Sequence, residues 1–258
     1  MTRVALIPAR ASSKRLPGKN TKLLGGIPLI RWTIQAAKDS GIFDDIFVCT
    51  DDPKAQDIAF HSGVHVFHRH PVPDDQKDID WLTDFFPLSE ATEAFLLRPT
   101  SPFRSAATLR RALDHWEATK DRLDSLRAMR RATETGWKQW VVEDCTCSRA
   151  PMPYGPCGGD PCQSVPCQGH KTMRPLTTAA AKKHLHSFPT QSLEDCYIQT
   201  AGLEIFHSKT ILEKGTLAGD HVGMFLMEGV EALDINSPED WKAAERHLRN
   251  EKSPQTVA

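Results

Sequence analysis

The chain has 258 residues, of which 25% are charged and 40% hydrophobic, and its formal net charge at pH 7 is -1. A charge this close to zero excludes an overall attraction to nucleic acid or to a membrane surface, so phosphate binding must come from local clusters of cations. No apolar run approaches the length of a membrane span, and cations interrupt the region where a secretory leader needs its apolar core. We therefore predict a soluble, cytoplasmic protein with one large domain, or with one domain and a sizeable insertion.

A basic loop follows the first predicted strand. The short apolar run at residues 4–7 is typical of a buried strand, and residues 7–20 (IPARASSKRLPGKN) then carry four cations, two serines and a Pro-Gly pair. Open α/β sheets bind phosphorylated ligands outside the carboxyl ends of their strands, which is where this loop lies. The prolines and the glycine restrict its conformations and so lower the cost of ordering it around a ligand. The pattern indicates a polyphosphate site, although a solvated basic turn would have the same composition.

Helix and strand patterns alternate along the rest of the chain. Apolar residues at positions 30, 34 and 37, with Gly41 just beyond, predict a helix over residues 30–40. Other patterns predict strands at 46–49, 64–67, 94–97, 197–206, 222–227 and 231–235, and helices at 54–62, 108–118, 208–213 and 238–249. Units of this length favour an α/β fold with a doubly wound, mostly parallel sheet.

The composition changes after residue 143. Prolines and glycines are frequent there, and within this stretch only residues 177–185 have the pattern of a short helix. Five of the seven cysteines lie at positions 145, 147, 157, 162 and 167, without the paired spacing of common zinc sites. We expect reduced thiols in an irregular insertion, with a zinc module as the alternative. The predicted division is an α/β part at 1–143, the insertion at 144–196, the completion of the α/β domain at 197–250 and a tail at 251–258.

Four motifs, in this order, resemble those of the acylneuraminate cytidylyltransferases, the synthetases of CMP-activated sialic acids. They are residues 7–20, 48–52 (VCTDD), 96–104 (LLRPTSPFR) and 233–241 (LDINSPEDW). The resemblance implies a nucleotide-diphospho-sugar transferase-like fold and a homodimer to which the inserted segment contributes. It also implies transfer of CMP from CTP to the anomeric hydroxyl of an acidic sugar, with release of pyrophosphate. It does not separate a sialic acid from 3-deoxy-manno-octulosonate, pseudaminate or legionaminate as the acceptor.

The resemblance further implies roles for individual residues. Arg10 and Lys19 would hold the triphosphate and, together with Asp234, take part in catalysis. The guanidinium group of Arg69 presents N–H donors in a fixed planar arrangement, which suits the hydrogen-bond acceptors on the edge of cytosine. The alternative role for this residue is an ion pair at the surface. The implied positions are Arg10, Ser13, Lys14, Lys19, Asn20 and Arg69 for CTP, Arg98, Thr100 and Ser101 for the acceptor sugar, and Asp234 and Asn236 for Mg²⁺.

The chain departs from the family pattern at two of these positions. The family has two aspartates on alternate residues, which face the same side and bind magnesium, but position 236 here is asparagine. Metal affinity should therefore fall unless Asp240 or bound pyrophosphate compensates, and a catalytically weak nucleotide-binding homologue is the alternative to an active enzyme. Arg98 stands where the family commonly has glutamine, and its cation suits either the carboxylate of the sugar or a phosphate.

Overall fold

The computed structural model describes residues 2–13, 15–69, 77–133, 136–144, 171–175, 187 and 189–252. The chain divides into two compact units, one formed by residues 1–130 and 198–258 and the other by residues 131–197. Residues 131–143, which the sequence assigns to the first α/β part, thus group with the second unit. No helix within the described ranges is long and apolar enough to cross a membrane.

The described residues form eleven strands and six helices. The strands are β1 (Arg3–Ala9), β2 (Leu23–Leu24), β3 (Ile27–Pro28), β4 (Asp45–Thr50), β5 (His65–His68), β6 (Glu93–Leu96), β7 (Ser125–Arg131), β8 (Trp140–Asp144), β9 (Lys171–Pro175), β10 (Tyr197–His207) and β11 (Val222–Leu226). The helices are α1 (Leu29–Ser40), α2 (Pro53–His61), α3 (Asp78–Phe85), α4 (Ala106–Thr119), α5 (Ser208–Leu212) and α6 (Pro238–Lys252).

Seven of these strands form one sheet in the order β11-β7-β10-β6-β1-β4-β5. Strand β1 is parallel to both β4 and β6, β5 is parallel to β4, and β11 is parallel to β7, whereas β10 runs antiparallel to β6. The predicted doubly wound, mostly parallel sheet is confirmed. The chain passes from β1 to β4 on one side and later returns to β6 on the other, so the carboxyl end of β1 is a topological switch point where ligands bind in such folds.

Strand β1 is buried on both faces of the sheet. Because successive side chains point to opposite sides, Ala5 and Ile7 pack in the cluster that contains α1, whereas Val4 and Leu6 pack in the cluster that contains α3. None of the four is more than 2% exposed. This double burial explains why the first strand is a continuous apolar run rather than an alternating one.

The strand predicted over residues 231–235 is wrong. Gly229 has a φ angle of 58°, in the left-handed region that favours glycine, and a 3-10 turn follows over Gly229–Ala232. The N–H of Ile235 then donates to the carbonyl of Thr100 at 2.8 Å. The backbone is therefore used in a turn and a loop contact, and not in a strand ladder.

The second unit contains an antiparallel pair of strands, β8 and β9, with Trp140 opposite Pro175 and Asp144 opposite Lys171. Within the same unit, the guanidinium of Arg131 pairs with the carboxylate of Asp195. The five clustered cysteines and the predicted helix at 177–185 lie outside the described residues. The zinc alternative therefore stays a prediction.

Glu93, the first residue of β6, is a buried carboxylate that contacts two cations. Its side chain is 0% exposed and accepts hydrogen bonds from Arg3 at 2.9 Å and from Lys120 at 3.2 Å. Burial raises the pKa of Glu93, but the hydrogen bonds from these cations outweigh burial and hold the pKa below its ordinary value. A carboxyl group with a depressed folded-state pKa stabilises the fold above its unfolded-state pKa, and this contribution is lost as the pH falls through the folded-state value.

We expect Glu93→Gln to lower the free energy of unfolding by about 2 kcal/mol at neutral pH, because the three hydrogen bonds from Arg3 and Lys120 lose their charged acceptor. Urea unfolding across a pH series measures the free energy of unfolding of both proteins. The difference between the variant and the unsubstituted protein should become smaller toward acid pH. Glu117→Gln is the matched control, since Glu117 contacts the same two cations but is 40% exposed, and it should cost less than about 1 kcal/mol. A gap that stays constant down to acid pH would contradict the assigned role of the carboxylate.

Candidate functional site

A cleft of about 390 Å³, here called the first cleft, opens at the carboxyl ends of β1, β5 and β6. It lies at the switch point of the sheet, where the topology predicts a ligand. The cleft brings together most of the positions that the resemblance implies, whereas Lys14 lies outside the described residues. The implied residues that line it are Arg10, Ser13, Lys19, Asn20, Arg69, Arg98, Thr100 and Asn236.

The basic loop is closed by its own hydrogen bonds. Gly18 adopts a φ angle of 63° and begins a 3-10 turn over Lys19–Thr21. The side-chain amide of Asn20 donates to the carbonyl of Arg10 at 3.1 Å, and the N–H of Ala11 donates to the carboxylate of Asp51 at 2.8 Å. These bonds hold the backbone of the loop at Arg10 and Ala11 against the end of β4.

Lys19 crosses the first cleft toward the segment that precedes α6. Its ammonium donates to the carbonyl of Ile235 at 2.9 Å. Burial lowers the pKa of Lys19, Asp234 opposes that shift, and the guanidinium groups of Arg15 and Arg10 add to it, so the pKa lies below its ordinary value. Because its surroundings disfavour the charged form, this lysine gains from the approach of an anion. The cleft therefore favours a ligand with several negative charges.

Arg69 follows β5 and is buried, with only 7% of its surface exposed. Its N–H donates to the carbonyl of Thr50 at 3.1 Å, and its guanidinium carbon lies 5.0 Å from the centre of the Trp81 ring. Burial lowers the pKa of Arg69, and the carboxylate of Asp78 opposes that shift. Its burial rules out a position on the surface, whereas an ion pair with the aspartates that follow stays a prediction. The ring fixes the orientation of the guanidinium fork, as recognition of a base edge requires.

Arg98 is held by two carboxylates. One of its terminal nitrogens lies 2.7 Å from Asp78 and 3.0 Å from Glu204, and Glu204 also lies 3.2 Å from Arg127. Burial lowers the pKa of Arg98, but the two carboxylates outweigh burial and raise it above its ordinary value. The cation that the resemblance assigns to the acceptor is thus compensated inside the protein, and its contact with the acceptor stays a prediction.

Asp78 and Glu204 are site residues that the sequence patterns did not reveal. Asp78 is the first residue of α3 and accepts a hydrogen bond from the indole N–H of Trp81 at 3.0 Å, so it links the ring beneath Arg69 to Arg98. An acid in the first turn followed three residues later by tryptophan was the available signal. Glu204 is 4% exposed in an apolar stretch of β10, and an acid at such a position indicates a buried ion pair.

A second cleft of about 690 Å³ borders the first. Asn236 lines both clefts and Asp234 lines only the second, so these two residues form the boundary between them. The other polar residues that line the second cleft are Arg130, Gln199, Thr200, Asp240 and His247.

The two boundary residues contact each other directly. The side-chain amide of Asn236 donates to Oδ2 of Asp234 at 2.6 Å. Oδ1 of Asp234 is buried and has no hydrogen-bond partner in the part of the chain that the structure describes. Ile235, between them, bonds to Thr100 through its N–H and to Lys19 through its carbonyl, so the boundary is fixed from both sides.

Asp240 holds the same segment from the start of α6. Its Oδ2 accepts hydrogen bonds from the N–H of Asn236 at 2.9 Å, and from the N–H and hydroxyl of Ser237 at 2.8 and 2.9 Å. Burial raises the pKa of Asp240, but these hydrogen bonds hold it below its ordinary value. The predicted serine cap is confirmed by the bond from the Asp240 N–H to the Ser237 hydroxyl. This geometry does not support the expectation that Asp240 compensates for Asn236 as a metal ligand.

Thr100 and Ser101, the implied acceptor residues, differ in position. Thr100 lines the first cleft, whereas Ser101 is 1% exposed and lies in the lining of neither cleft. Both hydroxyl groups are buried without a hydrogen-bond partner among the described residues. Thr100 is therefore the better placed of the two to meet a ligand.

Comparison with known proteins identifies the family. A family model described as Cytidylyltransferase matches residues 4–139, a range that contains the basic loop, Arg69 and Arg98 and exceeds half of the chain. The chain belongs to the cytidylyltransferase family. The resemblance seen in the four motifs is thereby confirmed at the level of the family, and most of the residues that line the first cleft lie within the matched range.

Curated relatives cover nearly the whole of this cytidylyltransferase. It is 30% identical over 253 residues to the CMP-N,N'-diacetyllegionaminic acid synthase of Legionella pneumophila, with 94% of each chain covered. It is 28% identical over 247 residues to N-acylneuraminate cytidylyltransferase A of Danio rerio, with 95% of this chain covered. The chain spans half the length of the Danio rerio relative.

Solved structures share the fold of this cytidylyltransferase. CMP:2-keto-3-deoxy-manno-octonic acid synthetase, solved with CTP, has a TM-score of 0.66 at 14% identity and covers 97% of this chain and 100% of its own. The 4-diphosphocytidyl-2C-methyl-D-erythritol synthase of Anaerococcus prevotii has a TM-score of 0.59 at 12% identity, covering 96% of this chain and 98% of its own. At these identities the likeness concerns the fold alone.

Cytidylyltransferases of this kind generally use a divalent metal, and the boundary residues fit one. The buried, unpartnered Oδ1 of Asp234 is the kind of oxygen that a hard cation requires, and the side chain of Asn236 can add a neutral oxygen. No group of three or more His, Cys, Asp or Glu side chains suited to a metal is found within the described ranges. A cation here would therefore depend on substrate phosphates and water for the rest of its ligands.

Proposed function

We propose that this protein transfers CMP from CTP to the anomeric hydroxyl of an acidic sugar and releases pyrophosphate. The observation that carries the proposal is the convergence on one cleft, in a member of the cytidylyltransferase family, of the basic loop, the buried Arg69 and Asn236, which contacts Asp234. Such a transfer needs little covalent chemistry from the protein. It needs positioning of both substrates and compensation of charge on the phosphates.

Each group in the first cleft has a part in this scheme. Arg10 and Lys19 bind the triphosphate and stabilise the charge that passes to pyrophosphate, and Ser13 and Asn20 complete the cradle with Lys14. Arg69, with its fork fixed against Trp81, reads the acceptor edge of cytosine. The sugar hydroxyl then attacks the α-phosphate in line from the acceptor side.

We propose Mg²⁺ as the resident cation, held by Asp234 and Asn236. When bound, the cation would supply positive charge that offsets the charge of the phosphate groups. The carboxylate of Asp234 supplies the fixed negative charge, while Lys19 and the Thr100 backbone keep the segment in place through Ile235. A homodimer and a cytoplasmic location also stay proposals, drawn from the family resemblance and from the composition.

The acceptor is an acidic sugar of eight or nine carbons. The relatives in Legionella pneumophila and Danio rerio are named for a legionaminic acid and for acylneuraminates, and the solved neighbour is named for an octonic acid. The class common to these names is a sugar that carries a carboxylate, and this class is the one we propose for the present protein.

One observation favours a second candidate function, a nucleotide-binding protein with weak catalysis. Asn236 replaces one of two expected carboxylates, so the boundary carries one negative charge fewer than the family pattern. A homologue that binds CTP without efficient turnover would have this feature.

Pyrophosphate release distinguishes these functions. The purified protein is mixed with CTP, Mg²⁺ and in turn N-acetylneuraminate, N,N'-diacetyllegionaminate and 2-keto-3-deoxy-manno-octonate, and UTP in place of CTP serves as the nucleotide control. We expect release with CTP and at least one sugar, and little release with UTP. Tight CTP binding by calorimetry with no release for any sugar would instead support the second candidate.

A further inference from the structure

Three arginines lie near the acceptor side of the two clefts, and they differ in how their charge is compensated. Arg98 and Arg127 share the buried carboxylate of Glu204, and Arg127 also donates to the side-chain oxygen of Gln199 at 3.1 Å. Arg130 lines the second cleft and has no carboxylate within ion-pair distance among the described residues. It is therefore the arginine of this group that retains an uncompensated charge.

The geometry of β7 keeps Arg130 apart from the Glu204 network. Leu126 and Ala128 are 0% exposed and belong to one core cluster. Because side chains alternate along a strand, Arg130 points to the same side as Ala128, whereas Arg127 points to the opposite side, toward Glu204. The side chains of Arg127 and Arg130 thus lie on different faces of the sheet, although the two residues are only three positions apart in the chain.

The second cleft suits a small polar molecule. Its volume of about 690 Å³ lies within the usual range of ligand sites. Gln199 and His247 add hydrogen-bonding groups to its lining, and Ile198 and Leu233 add apolar surface. No described residue of the basic loop lines it, so the second cleft differs chemically from the first. Among the described residues, Asn236 is the one that lines both clefts.

The chemistry of the acceptor restricts where its carboxylate is bound. In a cyclic 2-keto acid sugar, the anomeric carbon bears both the carboxylate and the hydroxyl that attacks the α-phosphate. A residue that binds the carboxylate must therefore share a cavity with the groups beside that phosphate. Arg130 shares the second cleft with Asp234 and Asn236, whereas Arg98 faces the first cleft and is compensated.

We propose that Arg130 binds the carboxylate of the acceptor sugar in the second cleft, and that Arg130 rather than Arg98 determines the preference for acidic sugars; this inference rests on the function proposed above. A guanidinium group presents two parallel donors that match the two oxygens of a carboxylate. The network of Asp78, Arg98, Glu204 and Arg127 then compensates its own charges and leaves recognition of the carboxylate to Arg130.

The test compares Arg130→Gln with Arg131→Gln, using the sugar of the panel that gives the fastest turnover. Arg131 is the next residue of β7, pairs with Asp195 and lines neither cleft, so its replacement removes the same charge without touching the proposed site. We expect Arg130→Gln to raise the KM for the sugar about 30-fold and to leave the KM for CTP within about threefold. Arg131→Gln should leave both within about threefold.

The carboxamide of the same sugar provides the second arm. The unsubstituted protein should lose about 30-fold in kcat/KM on going from carboxylate to carboxamide, whereas Arg130→Gln should lose less than about threefold, because the partner of the carboxylate is already missing. If Arg130→Gln does not bind CTP, Arg130→Lys takes its place. This variant keeps the positive charge but loses the paired donors of the guanidinium group. Its loss in kcat/KM on going from carboxylate to carboxamide should therefore lie between about threefold and about 30-fold.

The possible outcomes separate the two proposals. An unchanged sugar KM in Arg130→Gln, or an equal rise in Arg131→Gln, overturns the role of Arg130 while leaving the transferase function intact. A rise in the KM for CTP instead overturns it in favour of a phosphate contact. Failure of the unsubstituted protein to turn over any sugar of the panel would refute the proposed function itself, and the role of Arg130 with it.

Discussion

Replacing Lys19 with methionine is expected to lower kcat/KM for CTP by about 10³-fold, the usual effect of removing a group that stabilises developing charge. The ammonium is partly buried in the first cleft, where burial, together with the guanidinium groups of Arg15 and Arg10, lowers its pKa, and it is held in place by the carbonyl of Ile235. A charge fixed in this way needs no rearrangement as pyrophosphate leaves, and a methionine of similar length removes the charge with little change in packing.

The matched control for this variant is Lys22→Met. Lys22 directly follows the 3-10 turn that contains Lys19, lies 4.4 Å from the centre of the Trp241 ring and does not line either cleft, so its loss should change kcat/KM by less than about threefold. Initial rates of pyrophosphate release at varied CTP measure both variants, and thermal melting checks that each is folded. Equal losses in the two variants would mean that the loop acts through its overall charge and not through Lys19.

Local patterns in the sequence predicted the fold well where the signal is short-range. The buried run before the basic loop, the periodicity of α1 and α4 and the serine cap of α6 all depend on neighbouring residues, and the structure confirms each of them. Strand β7 shows the limit of such patterns. Leu126 and Ala128 are buried on one face of it, but the strand carries three arginines within seven residues, so its apolar pattern is too short to predict a strand.

Partnerships between distant residues were beyond the reach of pattern and spacing. Arg98 and Glu204 are separated by 106 residues in the chain but are in contact across β6 and β10. The sequence therefore identified Arg98 as an unusual cation without revealing that Glu204 compensates it. The strand predicted at 231–235 was wrong for a related reason. The backbone N–H of Ile235 donates to the distant carbonyl of Thr100 and not to a neighbouring strand.

Some of the positions taken from the family resemblance line the first cleft, and others do not. Arg10, Lys19, Asn20 and Arg69 meet in one cleft because each follows or lies near the carboxyl end of a parallel strand, which the order of motifs already indicated. Ser101 is buried behind the cleft instead, because a motif specifies which residues are adjacent and not which of them faces the ligand. Roles within the cleft remain predictions that the variants described here address.

Asp234→Asn is expected to reduce kcat by about 10³-fold at saturating CTP, because it removes the single carboxylate of the boundary between the clefts. Oδ1 of Asp234 is buried and unpartnered among the described residues, so its negative charge is available to a cation, while Oδ2 is occupied by the amide of Asn236. Steady-state rates across a Mg²⁺ titration measure the loss. A kcat within about threefold of the unsubstituted protein would contradict the role of Asp234 as a metal ligand.

Asn236→Asp is the converse change and should strengthen metal binding. It replaces the donor that now lies 2.6 Å from Asp234 with a second carboxylate, so the pair should repel without metal and lower the melting temperature. Added Mg²⁺ should then raise the melting temperature more than in the unsubstituted protein, and half-maximal activity should need about tenfold less Mg²⁺. The melting temperature reports binding independently of turnover.

The exchange variant, Asp234→Asn with Asn236→Asp, completes the comparison because it keeps the composition and the net charge while moving the carboxylate by two residues. If the buried Oδ1 of Asp234 is the oxygen that matters, the exchange should remain as impaired as Asp234→Asn alone. If only the total charge of the boundary matters, the exchange should recover activity. Should neither Asn236→Asp nor the exchange variant respond to Mg²⁺ in melting, the cation would have to be bound by the substrate phosphates without these residues, and the proposed metal site would be wrong.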